Sequence, residues 1–511
     1  MFRNRIRLVG VLAGALVTGL AEQAKADGLD TPAGGVRQVG RGGAWVARAD
    51  DPLAAFVNPA AMVRNANGVH VGSHLMLREH CFERLGDGGV PVAPGPSLAA
   101  AQGPVCADIA PFPNPQLAIQ HRIADRVWLG FAAVGPHKHG KASWPDVIRY
   151  QNKVGVPNQP HPAPQRYLML DDDALLVYPT VSVAVALRRN LSLGVGLVWG
   201  IAKFQFSNMV AGTGVAPEGF NQDIKSTIDG FDGFIPGLIL SALYSPTKRF
   251  DIAGTFRYSD AIRATTNLKV QPTYYSSGGD VNAAALSDPS LVTERERAGT
   301  FRFDIPMEAR LGFRYHQPRA SAGYGQPWVA KHGEQVRDAM SQDLFDVEVD
   351  LTYANTSAVD RIEIRLGSDI PINLGDGLTV SAPTNADMPR NWRDTLGVRL
   401  GGELVAIPDL LAVRAGGFFE SKAVADADLS LDFHQGYKAG VGGGATLRLS
   451  RFDISAAYQH TFYGALDNGG AGNARGLSGN PDKGFRTDFV VNGGRATGSL
   501  DEVALGLTVH Y

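Results

Sequence analysis

Hydrophobic and polar residues alternate along most of this 511-residue chain, from about residue 68 to its end. Alternation with a period of two is typical of β-strands whose two faces meet different surroundings. The longest example covers residues 301–315, where Phe301 and Phe313 share a face with other apolar residues and charged residues such as Arg302 stand between them. Strands in globular proteins usually have about five or six residues. The pattern therefore predicts unusually long strands with one apolar and one polar face.

The alternating segments predict the fold class. Bacterial single-chain barrels have an even number of strands. Segments 343–356 and 359–367 are separated by two residues, and merging them reduces fifteen segments to fourteen. We predict an all-β fold, a transmembrane antiparallel β-barrel of about 14 strands. The fifteen segments are 68–79, 114–124, 126–135, 174–188, 190–206, 232–246, 249–264, 299–316, 343–356, 359–367, 392–406, 409–420, 435–450, 451–463 and 499–511.

The connections and the C-terminus support this prediction. The chain ends on an amphipathic segment from Val503 to Tyr511, and a terminal aromatic ring suits the interfacial girdle of a barrel. Some segments are joined by short polar links such as Pro408-Asp409, whereas others are joined by long ones. Short turns at one end and long loops at the other are typical of outer-membrane barrels. We expect the long loops, on the extracellular side, at residues 80–113, 136–173, 207–231, 265–298, 316–342, 421–434 and 464–498.

The N-terminus predicts the compartment. Residues 1–7 carry three arginines, Leu8–Ala21 is an apolar run, and Ala24-Lys25-Ala26 matches a cleavage site. This arrangement is typical of a secretory signal peptide. We therefore predict a signal peptide at 1–26, an N-terminal plug at 27–67 and a barrel at 68–511 in the bacterial outer membrane. The formal charge of −2, from 48 basic and 50 acidic residues, argues against a nucleic-acid partner, which requires a basic excess.

The chain has two cysteines, Cys81 and Cys106, in a stretch rich in glycine, proline and alanine. In an oxidising compartment such a pair predicts a disulfide that closes one long loop. A metal site would need more ligands, and only His80 adjoins the pair. We therefore predict a disulfide, and neither a metal site nor a cofactor.

Residues 27–67 precede the first strand, do not alternate and are rich in small residues, which suits a segment folded inside a barrel. The succession Gly40–Ala44, Ala49-Asp50-Asp51 and Asn58-Pro59-Ala60 resembles the N-terminal hatch of the FadL-type family of outer-membrane transporters for long-chain fatty acids and aromatic hydrocarbons. Further matches follow in order along the chain, at Tyr244–Thr247, Phe256–Ser259, Trp392–Thr395, Val398–Gly401 and Val413–Gly416.

The resemblance implies a monomeric fourteen-stranded barrel whose lumen is closed by the hatch. Such proteins take hydrophobic molecules from outside, hold them in an apolar pocket and release them sideways through the wall into the membrane. We therefore expect passive uptake of long-chain fatty acids or similar apolar compounds, with outer-membrane lipid and lipopolysaccharide as the surroundings. No enzymatic activity is expected.

The resemblance also suggests site residues. The exit in this family is associated with a kink in the third strand, here Val127–Pro136, and Gly135-Pro136 suits a break because proline cannot donate to a ladder. Pro136 as the first residue of a loop is an equal alternative. Lys203, late in the fifth strand, and Arg365, late in the ninth, are candidates for holding a ligand head group. A hydrophobic residue stands where the family arginine is expected, which leaves a carboxylate ligand open.

Two other functions remain open from the sequence. A general diffusion porin would need an unplugged lumen. A barrel-type enzyme or adhesin would need a reactive set at the rim, and no serine, histidine or aspartate stands in a spacing that selects it.

Overall fold

The computed structural model describes residues 34–85, 103–149, 160–215, 218–292, 296–319, 338–375, 377–382, 385–433 and 436–511, with the backbone alone at 136–139 and 382. The predicted signal peptide and residues 27–33 of the predicted hatch lie outside these ranges. Within the described residues, no helix has the length and apolar character needed to span a membrane.

The described strands form a closed antiparallel barrel of fourteen, in which each strand pairs with its neighbours in sequence and β14 pairs with β1 from Gly68↔His510 to Arg84↔Gly494. The predicted fold class is confirmed. The strands are β1 Gly68–Arg84, β2 Phe112–Ala124, β3 Val127–Ser143, β4 Asp171–Arg188, β5 Leu191–Val210, β6 Ile224–Thr247, β7 Phe250–Ser259 with Ile262–Gln271, β8 Glu296–Phe303 with Glu308–Pro318, β9 Asp343–Ala354 with Arg361–Leu366, β10 Asn385–Pro389 with Thr395–Ile407, β11 Leu411–Glu420, β12 Lys438–Leu449, β13 Phe452–Asp467 and β14 Gly494–His510.

Shorter elements complete the fold. The short strands are Val105–Cys106, Asp108–Ile109, Val147–Arg149, Pro160–Pro162, Ile370–Asn373, Thr379–Ala382, Arg475–Leu477 and Arg486–Val490. The α-helices are α1 Val36–Val39, α2 Ala54–Val57, α3 Ala283–Ser287 and α4 Ala339–Gln342, and the 3-10 helices are Pro59–Arg64, Thr356–Ala358, Asp426–Asp428 and Pro481–Lys483.

The outer face of the barrel carries exposed apolar side chains at every second position, as in Val503, Leu505 and Leu507 of β14, whereas Ala504 between them is buried. A closed barrel satisfies its backbone hydrogen bonds internally and can therefore present such a face to lipid. The alternation in the sequence thus predicted both the strands and the side chains that face outward from them.

The merged ninth strand is also confirmed. Asp343–Ala354 pairs with the second half of β8, whereas Arg361–Leu366 pairs with its first half. The two segments therefore lie end to end along one neighbour. The interruption between them matches interruptions at a similar height in β7, β8 and β10.

The predicted position of one connection is wrong. Because successive strands are antiparallel, the link between β8 and β9 lies at the same end as the short turns, opposite to the other long connections. The backbone N–H of Asp409, in a short turn, donates to the carbonyl of Met340 (3.1 Å), and Met340 is buried against Val405 and Ala412. The length of residues 316–342 predicted that they form an extracellular loop. The strand order shows that they lie at the opposite end of the barrel.

The described part of the hatch, residues 34–67, packs inside the barrel. Its helix α1 contacts β12, β13, β14 and β1, whereas the 3-10 helix Pro59–Arg64 contacts β3 to β6 on the opposite wall. Nearly all residues from 34 to 64 are buried. The predicted limits of the hatch stay a prediction at their N-terminal end, because residues 27–33 are not described.

Buried ion pairs join the hatch to the wall. Arg37 contacts Asp453 (2.7 Å), Arg41 contacts Asp346 (2.7 Å), and Arg64 contacts Asp251 (3.0 Å). A charge buried without a partner is strongly destabilising, so each carboxylate of the wall fixes the position of a hatch guanidinium.

One prediction concerns the closest approach of hatch and wall. Gly42 has φ of +59°, and a Cβ there would lie 2.3 Å from the backbone nitrogen of Gly417. We expect Gly42→Ala to lower the free energy of urea-induced unfolding in lipid vesicles by about 1–3 kcal/mol, because neither backbone can yield easily.

Gly254→Ala in β7 is the matched control, because a Cβ at Gly254 meets no atom closer than 3.9 Å. Equal stability of the Gly42→Ala variant and the wild type would contradict this close packing.

Candidate functional site

An apolar cavity of about 160 Å³ lies in the upper half of the barrel. We call it the inner cavity. Its wall is formed mainly by inward side chains of β4 to β10, including Phe204, Phe301, Phe303 and Ile364. The rings of Phe204 and Phe301 are 4.4 Å apart. Because alternate residues of a strand face the same side, the same periodicity that forms the lipid-facing belt lines this cavity.

One of the two predicted head-group residues borders the inner cavity. Lys203 is among its lining residues, although it is exposed and stands between the buried residues Ala202 and Phe204. Arg365 likewise alternates with Ile364 and forms ion pairs with Asp387 and with Glu363 (3.5 Å). The assignment of both residues to a ligand stays a prediction, and the geometry does not favour Arg365, which does not line the cavity.

A second cavity of about 430 Å³ lies next to the first and is more polar. We call it the outer cavity. It is lined largely by the connections β11–β12 and β13–β14, which lie at the end of the barrel with the long loops. Arg390 and Asp432 line both cavities and form an ion pair. Sequence reasoning missed both residues, because Arg390 lies in the interruption of β10 and Asp432 in a loop, where alternation assigns no face.

The loop before β4 closes over the cavities and is held by buried charges. Arg166 contacts Asp223 (2.8 Å) and Glu218 (2.5 Å), and the Tyr167 hydroxyl donates to Asp223 (2.8 Å). Burial raises the pKa of Asp223 to about 6, although Arg166 and Tyr167 favour its charged form. Burial also opposes ionisation of Glu218, but Arg166 and Arg84 hold its pKa below the usual range. The cluster therefore fixes Leu168, which lines both cavities.

The wall of the barrel has a break between β2 and β3. In the described backbone, the β2–β3 ladder runs from Ala124↔Val127 to Leu117↔Ala133 and then stops. Residues 112–116 of β2 still pair with β1. Pro113 and Pro115 lack N–H groups at alternate positions, which removes two donors from the same edge of β2.

On the other side of the break, β3 remains paired with β4 but with register shifts between Val134 and His137 and between His137 and Gly140. The predicted Gly135-Pro136 kink lies at the first shift. Because β3 continues to Ser143, Pro136 does not begin a loop. We call the unpaired region between residues 112–116 and 134–141 the wall window. The role of Gly135 and Pro136 in ligand exit stays a prediction.

A side chain spans the wall window. The amide of Asn114, which is buried, donates to the carbonyl of Gly135 (2.8 Å). This bond joins the two edges where the ladder is missing. A side chain can leave such a bond by rotating, whereas a ladder opens only by separating two strands.

The predicted disulfide between Cys81 and Cys106 is present and lies above the wall window. The short strand Val105–Cys106 pairs with the end of β1, and Asp108–Ile109 pairs with Ser143 and Ala142 of β3. We call residues 105–109 the lintel. The wall window is therefore bounded below by the β2–β3 ladder and above by the lintel.

The inner cavity adjoins the wall window. Ala174 and Leu176 line the cavity and pair with Gly140 and His137 of β3. On the outside, β1 beside the window exposes Leu75, and the exposed Leu175 of β4 also borders the cavity. An apolar cavity and an apolar outer surface thus lie on either side of the same weak part of the wall.

The hatch motif docks against the wall below the cavity. The amide of the buried Asn58 donates to the carbonyl of Val46 (2.8 Å), which ties two parts of the hatch together. Pro59 begins the 3-10 helix, and the N–H of Ala60 donates to the Ser241 hydroxyl of β6 (2.9 Å). The motif is therefore structural in this geometry, and its contribution to transport stays a prediction.

Comparisons with known proteins give a consistent fold. Neither protein-family models nor curated proteins match the chain. Among solved structures, a FadL homologue from Pseudomonas aeruginosa has 18% identity and a TM-score of 0.65, with 95% of this chain and 100% of that chain covered. The toluene transporters TodX from P. putida and TbuX from Ralstonia pickettii have 11% and 13% identity and TM-scores of 0.57 and 0.54, each with 94% and 99% covered. This chain therefore has the fold of these transporters.

A second prediction tests the hatch motif. Asn58→Ala leaves the buried carbonyl of Val46 without its donor, which costs about 1–3 kcal/mol. We expect faster hydrogen exchange in residues 44–64 by mass spectrometry, while the barrel still resists unfolding in detergent.

Asn267→Ala is the control, because Asn267 makes an exposed hydrogen bond to Glu296. Unchanged exchange in the hatch of the Asn58→Ala protein would show that this hydrogen bond does not hold the motif.

Proposed function

We propose that this chain is a FadL-type outer-membrane transporter that takes up hydrophobic molecules by passive diffusion and releases them laterally into the membrane. The observation that carries the proposal is the apolar inner cavity beside the wall window, above a lumen filled by the hatch. The solved structures with this fold include proteins named as toluene transporters and a FadL homologue, which supports transport rather than catalysis.

The proposed path has three stages. A ligand leaves the extracellular side for the outer cavity, moves into the inner cavity, and passes between β2 and β3 into lipid. Transfer of apolar surface from water releases about 25 cal/mol per Å², so both the cavity and the membrane are favourable destinations. No energy source is needed, because the ligand moves down its own gradient.

The size of the inner cavity bears on the substrate. Its volume of about 160 Å³ is close to the roughly 150 Å³ of an apolar cavity that binds benzene. A compound with one aromatic ring, or an alkyl segment of similar volume, fits the cavity as it stands. Long-chain fatty acids remain substrates under this proposal if their chain extends into the outer cavity.

The hatch supports a lateral exit over a path through the lumen. Arg41 and Arg48 are buried and paired with carboxylates of β9 and β10. The same carboxylates also contact the wall residues Arg314 and Arg414, so the hatch is part of one continuous buried network of charges. Withdrawing it for each transport event would break several ion pairs at once, which is unfavourable. A general diffusion porin would also need an open lumen, so its geometry is not favoured.

The surroundings proposed for the protein follow from its outer face. The apolar belt suits outer-membrane lipid, and the charged residues above it suit lipopolysaccharide. A closed barrel has no unpaired edge to offer another copy, which supports a monomer.

The experiment that tests the lateral exit closes the wall window with a disulfide. In the wild type, both native cysteines are bonded to each other. A Cβ at Gly135 would lie 2.9 Å from Oδ1 of Asn114, so the double variant Asn114→Cys/Gly135→Cys brings two thiols together. We expect oxidation to slow uptake of radiolabelled toluene and oleate by cells several-fold, while detergent-solubilised protein still binds both.

A second disulfide serves as the control. Leu117→Cys/Ala133→Cys joins two residues that are directly opposite in the intact ladder, and it leaves the wall window unchanged. Mild reduction should restore uptake in the first variant without changing the wild type. Full uptake through the oxidised window would reject lateral release between β2 and β3.

A further prediction separates the transporter from a porin. Because the hatch fills the lower lumen, we expect no large steady ionic conductance from the full chain in planar lipid bilayers. Deletion of residues 27–67 should produce such conductance if the barrel still assembles. Large conductance of the full chain would favour the porin.

A further inference from the structure

The inner and outer cavities meet at a small set of shared residues. Those lining both are Leu168, Asn208, Met388, Arg390, Asp432 and Leu477. Arg390 and Asp432 are the charged residues of this set, and they are paired with each other. A ligand that moves between the cavities must pass this pair, which we call the neck pair.

Hydrogen bonds to other residues of the chain fix both partners of the neck pair. The backbone N–H of Arg390 donates to the carbonyl of Asp360 (2.7 Å), which anchors it in the interruption of β10. Asp432 Oδ1 accepts bonds from the Ser430 hydroxyl (2.6 Å) and from the N–H of Phe433 (3.0 Å). The guanidinium therefore belongs to the wall, whereas the carboxylate belongs to the loop between β11 and β12.

The loop that contains Asp432 also forms part of the lining of the inner cavity. Phe433 lines the inner cavity, and its ring lies 5.5 Å from Phe303 and 5.7 Å from Trp392. Because Phe433 directly follows Asp432, separating the ion pair releases the loop residue that covers this side of the inner cavity. The pair and the aromatic cover are thus expected to move together.

One hydrogen-bond donor of Arg390 is unpaired within the described residues. Its Nε is buried and has no acceptor among the residues that the structure describes, while its Nη2 contacts Asp432. A buried donor without a partner is costly. Once Asp432 moves away, a ligand oxygen at the neck can satisfy this donor, which a hydrocarbon cannot do.

We propose that the neck pair is a gate between the two cavities, opened by ligands that carry a hydrogen-bond acceptor on a small apolar body. The acceptor takes the place of Asp432 on Arg390, and the loop with Phe433 then moves aside. This inference rests on the proposed function and adds to it a selection step before the inner cavity.

The test compares two probes with the same ring, 4-bromobenzoate and bromobenzene, on the purified full chain in lipid nanodiscs. Bromine quenches tryptophan fluorescence. Because Trp392 lines the outer cavity and not the inner one, the changes Phe206→Trp and Trp392→Phe are made in every protein compared, including the wild type. Stopped-flow mixing then gives the rate of arrival in the inner cavity, which Phe206 lines. We expect 4-bromobenzoate to associate faster than bromobenzene with the wild type.

Removing the acidic partner should open the gate for both probes. For Asp432→Asn we expect the association rate of bromobenzene to rise about tenfold, because that rate scales with the open fraction. For Arg390→Met we expect the same rise together with loss of the preference for 4-bromobenzoate. The exchanged pair Arg390→Asp/Asp432→Arg should restore slow association of bromobenzene, which a purely structural defect would not do.

The matched control is Asp229→Asn, which removes an exposed ion pair with Lys269 (3.4 Å) outside both cavities. Unchanged rates for Asp432→Asn, or an equal change for Asp229→Asn, would overturn the gate. If the wild type binds neither probe, the inner cavity as a ligand site fails as well, and the proposed function fails with it.

Discussion

Charge pairing inside a closed barrel is the constraint on which the rest of this structure depends. Closing fourteen strands forces every second side chain inward, and β9 places Asp346, Glu348 and Asp350 in one buried row. The hatch neutralises this row. Arg41 contacts Asp346, and the backbone N–H groups of Trp45 and Ala47 donate to Asp350 and Glu348. Arg314 of the wall also contacts Asp346, but Arg41 and these backbone donors come from the hatch, so the buried row is fully paired only when the hatch is in place.

This constraint divides the lumen into two regions with different chemistry. Below, polar inward residues are satisfied by the hatch, which leaves little free space. Above, the inward residues of β4 to β10 become aromatic and aliphatic, as at Phe204 and Phe301, and the inner cavity forms there. A break in the wall that adjoins both this cavity and the lipid-facing belt lies between β2 and β3. A hydrophobic ligand in the inner cavity therefore has the hatch below it and the wall window beside it.

The sequence could predict what depends on periodicity. Alternation predicted the strands, the apolar belt and the continuation of β9 across residues 355–360, and the compartment implied the disulfide. It could not predict which face a residue takes where the period is interrupted, so Arg390 was missed. A period of two also makes the predicted face of a side chain sensitive to a shift of one position. Lys203 and Arg365 both alternate with inward residues, yet Lys203 still borders the inner cavity and Arg365 does not. The wall window depends on where the ladder between β2 and β3 stops. The resemblance suggested Gly135-Pro136 on one edge, whereas the part played by Pro113 and Pro115 on the facing edge needed the structure.

The lintel has a consequence for how the wall window can open. Residues 105–109 are joined covalently to β1 and by hydrogen bonds to β3, so they connect the first and third strands independently of β2. Of these two links, only the disulfide survives separation of the strands. If β2 and β3 part for a ligand, residues 105–109 therefore stay attached to β1, and the upper limit of the opening is set by a covalent bond rather than by a ladder.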